Sequence, residues 1–144
     1  VDGPGVSMTT DFAKMLIGDM RAHDGVVTTG PMAGRPLMVL TTTGAQSGQE
    51  RTAIVTYTRD GDRFVIAGVN GGSPSNPAWF FNLVANPEVT VEAAGETFEA
   101  RAAAASGDER DRLWAQHVSE RPEFSDYQKQ TERKFPMIVL MRMA

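Results

Sequence analysis

Between Pro36 and Ala67 the chain passes through three runs of strand-forming residues separated by two short turns, and this segment does most to limit the possible folds. Leu37-Met38-Val39-Leu40 leads into three threonines, Gly44-Ala45-Gln46-Ser47-Gly48-Gln49 makes a small polar turn, and Arg51 to Arg59 resumes a strand pattern with Ile54, Val55 and Tyr57. Asp60-Gly61 is a hairpin signal, because glycine supplies the positive φ such turns need, and Phe64-Val65-Ile66-Ala67 is the return strand. Glu88 to Ala93 and Thr97 to Ala103 read as two more strands around Ala94-Gly95-Glu96, and Pro136 to Met141 as a closing one. Helical segments fall between these groups rather than after every strand, so a parallel α/β sheet is excluded. The order predicts a mainly β fold with flanking helices, in which about six mostly antiparallel strands curl into a barrel and remove their own edges.

The helices follow from caps and spacing. Thr10 is placed to cap a helix over 11–23 with Phe12, Met15, Leu16 and Met20 on one face, ended by Asp24-Gly25. Val26 to Arg35 reads as a connection, and Asn70 to Ser75 is too rich in turn formers for either regular element. Asn76-Pro77 predicts an N-cap and first turn for a helix to Ala85, with Trp79, Phe80, Phe81 and Leu83 in the core, and Asn86-Pro87 stops it. Ser106 with Glu109 is a capping-box signature for a helix carrying Leu113, Trp114 and Val118; Pro122 breaks it, and 123–133 is expected to form a second short helix.

A chain of 144 residues suits one domain, here 1–144, with residues 1–35 as N-terminal helix and connection and 36–144 as the barrel. There is no cysteine, which removes thiol nucleophiles and cysteine-ligated metal, and a net charge of -4 gives no basic field for a nucleic-acid partner. No run approaches a membrane span, no signal-peptide pattern opens the chain, and the cytoplasm is the expected compartment. His23 and His117 sit in helices without a second histidine at ligand spacing and are expected at the surface or at helix ends. Asp108, Glu109 and Asp111 fit the first turns of a helix, where the dipole favours negative charge. Ser47 precedes a strand, not a helix, so it is no nucleophile elbow.

Two glycine-rich segments, 44–51 and 70–77, remain. Glycines let backbone N–H groups converge on an anion, and Ser47 and Arg51 add a hydroxyl and a charged fork. Ordinary barrel turns with an exposed arginine explain the same residues, and composition alone favours that reading.

The ordered set Leu40-Thr41-Thr42-Thr43-Gly44-Ala45-Gln46-Ser47-Gly48-Gln49-Glu50-Arg51, Asp60-Gly61, Gly71-Gly72, Asn76-Pro77-x-Trp79-x-x-Asn82, Asn86-Pro87 and Phe124-Ser125-Asp126-Tyr127 resembles the deazaflavin-dependent nitroreductase family. The resemblance implies a split β-barrel that binds reduced coenzyme F-420, an 8-hydroxy-5-deazaflavin with a phosphate and a glutamyl tail. Its members pass hydride to nitroaromatics, quinones and activated alkenes such as enones and coumarin lactones. It implies that Ala45, Gln46, Ser47, Gly48 and Arg51 hold the phosphate and tail, and that Val55, Asn70, Gly71, Gly72, Asn76, Pro77, Trp79 and Asn82 line the cofactor groove.

Thr56, Val69, Phe124 and Tyr127 are then candidates for the acceptor pocket, with Met15 and its helix as a cover. Tyr127 serves equally well as a packing residue. No catalytic side chain is required, because the cofactor brings its own reducing power. The family often has basic residues where this chain has Ala45 and Gln46, and a lysine where it has Asn70; Lys129, Arg133 or Lys134 are candidates to replace them. Related split barrels bind flavin mononucleotide, which stands as the alternative cofactor, and a non-catalytic deazaflavin-binding protein would need the same loops. A small-molecule acceptor is the expected partner, on a monomer or homodimer, at a membrane surface if the acceptor is a quinone.

Overall fold

The computed structural model describes residues 11–28, 30 and 33–143. Helix α1 (Asp11–Ala22) precedes three strands, β1 (Leu37–Thr43), β2 (Glu50–Asp60) and β3 (Arg63–Ala67). A one-turn 3-10 segment at Asn70–Gly72 and helix α2 (Ala78–Ala85) lead to β4 (Glu88–Ala93) and β5 (Glu96–Ala104). Helices α3 (Gly107–Glu120) and α4 (Phe124–Gln128) lead to β6 (Met137–Arg142). The strands close into a six-stranded barrel in the order β1-β2-β3-β6-β5-β4, and every neighbouring pair is antiparallel.

Side-chain alternation sorts the strand residues into an inside and an outside. Met38, Leu40, Phe64, Ile66, Val91, Phe98, Ala100, Ile138 and Leu140 form the core cluster, and Trp79 and Leu83 of α2 join it. The intervening residues of β1, Leu37 and Val39, pack under α1 against Leu16, Ile17 and Met20. On β3 and β6, Val65, Ala67, Met137 and Val139 pack against Leu113 of α3 and Phe124 of α4. Coverage on both faces explains why β1 reads as a continuous apolar run rather than an alternating one. A double hydrogen bond from Arg21 to Glu92, both contacts 2.9 Å, ties α1 to β4.

The barrel and its strand boundaries agree with the sequence reading; several details differ. The predicted Thr10 cap and the side chain of Phe12 lie outside the described residues. Met15 is 54% exposed, because Leu16, Ile17 and Met20 take the packed face and Met15 lies about 200° around the helix from Ile17. Phe81, expected in the core, is also half-exposed, since Trp79, Asn82 and Leu83 are the residues α2 turns inward. Pro77, not Asn76, holds the N-cap position of α2. Ser106 sits at the N-cap of α3 without a side-chain cap bond, so the capping box does not form. The expected helix over 123–133 stops at Gln128, whose side-chain amide donates to the carbonyls of Thr131 (3.0 Å) and Arg133 (2.9 Å) and turns the chain out of helical geometry.

His117 departs most from expectation. It lies in the last turn of α3, as a helix-end residue should, but is fully buried rather than exposed. Its Nδ1 is 2.8 Å from the Thr58 hydroxyl and its ring packs edge-on against Phe124 at 4.6 Å.

Candidate active site

A cavity of about 290 Å³ opens beside β2, between the end of β3, the start of α2 and α4. Val55, Thr56, Val69, Asn70, Gly71, Pro77, Trp79, Phe124 and Tyr127 line it, nine residues that the sequence reading had placed in cofactor or acceptor roles. They come from four separate segments, and barrel closure brings them together. Gly71 has φ +64, and a Cβ there would meet no protein atom within 4 Å, so glycine keeps this wall of the cavity open. Much of the lining is apolar: Trp79 presents a buried indole, and Phe124 packs against Tyr127 (ring centroids 5.4 Å apart) and His117. A concave, mostly apolar site of this size with a few polar groups suits one flat ring system with an acceptor against it.

The remaining candidates do not line this cavity. Asn82 is 1% exposed, and its carboxamide is an internal clamp: Oδ1 accepts the Ala45 N–H at 3.0 Å while Nδ2 donates to the Thr42 hydroxyl at 3.2 Å. Four N–H groups of the glycine turn are engaged within the chain. Gly44 donates to the Gln49 carbonyl, Gly48 to the Gly44 carbonyl, Gln49 to the Ser47 hydroxyl and Ala45 to Asn82, so these four do not form the anion cradle that glycine content suggested. Gln46 and Ser47 are exposed in the same turn. Arg51 is exposed at the start of β2, 3.2 Å from the Gln49 side-chain oxygen, and shares a strand face with Ala53 and Val55 of the cavity. Gly72 is buried, and a Cβ there would come within 2.9 Å of Gln130 Oε1.

Arg133 has a role the sequence reading missed. Its guanidinium donates to the carbonyls of Gly68 (2.9 Å), Val69 (2.9 Å) and Ser73 (3.1 and 2.9 Å) and to the Asn76 side-chain oxygen, and it stacks over Phe135 at 4.7 Å. Burial lowers its pKa from the usual value. An arginine so occupied holds the 68–76 loop in place and is not available for a glutamyl tail. Asn76 accepts from this guanidinium and is not among the residues that line the cavity. Lys129 pairs with Asp126, and Lys134 with Asp111 of α3.

The sequence reading also passed over Arg35, Ala53, Ile54 and Ala67, which complete the lining. The sequence reads Arg35 as the end of a plain connection. Its position before Pro36 biases it toward extended backbone, and the Pro36 carbonyl accepts the Tyr57 N–H at 2.9 Å, so the β1–β2 register continued back along the chain sets Arg35 opposite Thr58. That Gly-Arg-Pro entry into a strand was the available signal.

Fold and family match together define a split-barrel oxidoreductase, here with an open, mostly apolar cavity. Residues 15–142 match the F420H(2)-dependent quinone reductase family, and the chain belongs to it. It is 37% identical over 134 residues to the F420H(2)-dependent quinone reductase Rv1261c of Mycobacterium tuberculosis, covering 85% of this chain and 89% of that protein. Among solved structures it resembles an F420-H2 dependent reductase, FDR-A (32% identity, TM-score 0.67, 74% of this chain and 94% of that one). It also resembles a chain solved as a domain-swapped dimer (27% identity, TM-score 0.69, 90% and 97%). Coenzyme F-420 is the family's cofactor, as the sequence motifs had implied. Among the described residues no helix is long and apolar enough to cross a membrane.

Proposed function

We propose that this protein binds reduced F-420 with its ring in the 290 Å³ cavity and reduces a quinone or a similar small acceptor there, an activated alkene or nitroaromatic included. The observation that carries the reading is the convergence of Gly71, Pro77, Trp79, Phe124 and Tyr127 of the family-like motifs, with Val55, Thr56 and Asn70 beside them, on one mostly apolar cavity. When bound, the cofactor supplies the hydride. The chain's own residues orient the two rings and exclude water, which needs no acid–base dyad. Trp79 and Pro77 form the ring wall, and Thr56, Val69, Phe124 and Tyr127 form the acceptor side. Arg51, with Gln46 and Ser47 of the exposed turn, is the contact for phosphate and tail outside the cavity, reached along the strand face that Arg51 shares with Ala53 and Val55.

The test is F-420 fluorescence on titration with the apoprotein, against a parallel titration with flavin mononucleotide, followed by F-420H2 oxidation in the presence of menadione. Binding of F-420 with menadione-dependent oxidation is expected. Tighter flavin binding with flavin-dependent turnover would overturn the proposal.

A further inference from the structure

Arg35 is half-buried at the cavity wall and is the cation among the lining residues, which include no carboxylate. Arg21, Arg63, Arg112 and Arg142 each hold an acidic partner; Arg35 has no ion pair or hydrogen bond among the described residues. A guanidinium kept beside apolar side chains with its donors uncommitted is a ready site for a negative charge arising inside the cavity, and partial exclusion of water makes such a contact stronger than at an open surface.

We propose that Arg35 receives the negative charge that forms on the acceptor oxygen during reduction. The inference rests on the hydride-transfer reading above. A hydride brings two electrons to the acceptor; in a quinone or enone the carbonyl π pair moves onto oxygen, giving a phenolate or enolate, while the reduced cofactor becomes oxidised. The new oxyanion lies against the Arg35 N–H groups and takes its proton afterwards from water. A donor preplaced where charge develops favours the transition state over the neutral acceptor. Thr56, which also lines the cavity, is uncharged and cannot take over that role.

The experiment separates the anion from the ring that bears it. The probes are 2-hydroxy-1,4-naphthoquinone, an anion at neutral pH, and its neutral methyl ether, 2-methoxy-1,4-naphthoquinone. Binding is read from tryptophan quenching in a Trp114→Phe background, which leaves Trp79 of the cavity lining as the single tryptophan, without any F-420 present. Arg35→Gln is expected to weaken the anion by about 10- to 100-fold and leave the ether unchanged, with Arg35→Lys recovering part of the loss. With F-420H2 and menadione, Arg35→Gln should lower kcat while F-420 affinity stays as in wild type.

Equal binding of the anion by wild type and Arg35→Gln overturns the proposal. Loss of F-420 affinity in Arg35→Gln, with the hydroxyquinone bound as in wild type, also overturns it, because the arginine then serves an anion of the cofactor. Wild-type protein that binds no F-420 removes the reductase reading itself, by a separate measurement.

Discussion

The side-chain oxygen of Asn82 accepts the backbone N–H of Ala45 at 3.0 Å, joining the middle of α2 to the turn between β1 and β2. With Nδ2 on the Thr42 hydroxyl, a single buried carboxamide sets the glycine turn against the helix that carries Trp79. Asn82→Leu keeps the bulk and leaves the Ala45 and Thr42 groups without that partner, at a cost of about 1–3 kcal/mol. A lower urea midpoint with an unchanged slope is the expected result, together with weaker F-420 binding because the turn no longer holds its place. F-420 affinity equal to wild type would separate the turn from the cofactor.

Arg133 organises the other side of the cavity. Arg133→Met keeps most of the stem but leaves three carbonyls and the Asn76 amide to water. Amide hydrogen exchange should rise over residues 68–76 while the strands stay protected. Affinity for the acceptor should fall with it, since Val69, Asn70 and Gly71 line the cavity from this loop. Unchanged exchange across the loop would show that Arg133 does not hold it.

Arg51 carries the tail contact proposed above. Removing one charge-assisted contact of about 1.5–3 kcal/mol, Arg51→Ala should raise the Kd for F-420 by about 10- to 100-fold with little change in stability. The wild-type affinity should fall with added salt more steeply than that of the variant. Identical affinity at low salt would make Arg51 a surface residue only.

His117 predicts a pH dependence of stability. Burial, with the positive charge of Arg121 added and Glu123 opposing, lowers its pKa from 6.5 to about 4. The unfolded chain therefore takes up a proton at a pH where the folded chain does not, so stability is highest above pH about 6.5 and declines as the pH falls toward 4, by up to about 3 kcal/mol. Asp60, held down to about 2 by hydrogen bonds from Arg112 and Arg63, adds a separate loss at more acid pH, as the solution passes below the usual aspartate value of 3.8. Between pH 6.5 and 5 the slope should belong mainly to His117. Replacing both partners, Thr58→Val with His117→Leu, should flatten it and cost little at neutral pH, because no polar group is left unpaired. Persistence of the slope in the double variant would assign it elsewhere.

What the sequence disclosed depended on range. Asp60-Gly61, Asn86-Pro87 and the apolar runs act through neighbours, so strand order and boundaries could be read directly. Five of the nine cavity residues, Gly71, Pro77, Trp79, Phe124 and Tyr127, belong to an ordered set of motifs, and Val55, Thr56, Val69 and Asn70 follow from the family resemblance that the set carries. The partners of Arg133, Asn76, Asn82 and His117 were not legible because they lie tens of residues away: Arg133 bonds Gly68 and Asn76, Asn82 bonds Ala45, and His117 meets Thr58. Helical spacing likewise suggested a packed Met15 and Phe81, and only the docked orientation of each helix decided which neighbour turned inward.

The strand order has a consequence for how the protein is made. β6 lies between β3 and β5, bonded along both edges, and every other strand precedes it in the chain. Until residues 137–142 have been synthesised, the continuous array β3-β2-β1-β4-β5 has the outer edges of β3 and β5 bare. Such borders invite pairing with another molecule. Translation speed and chaperone supply over the closing stretch should therefore influence the soluble yield more than they do earlier in the message.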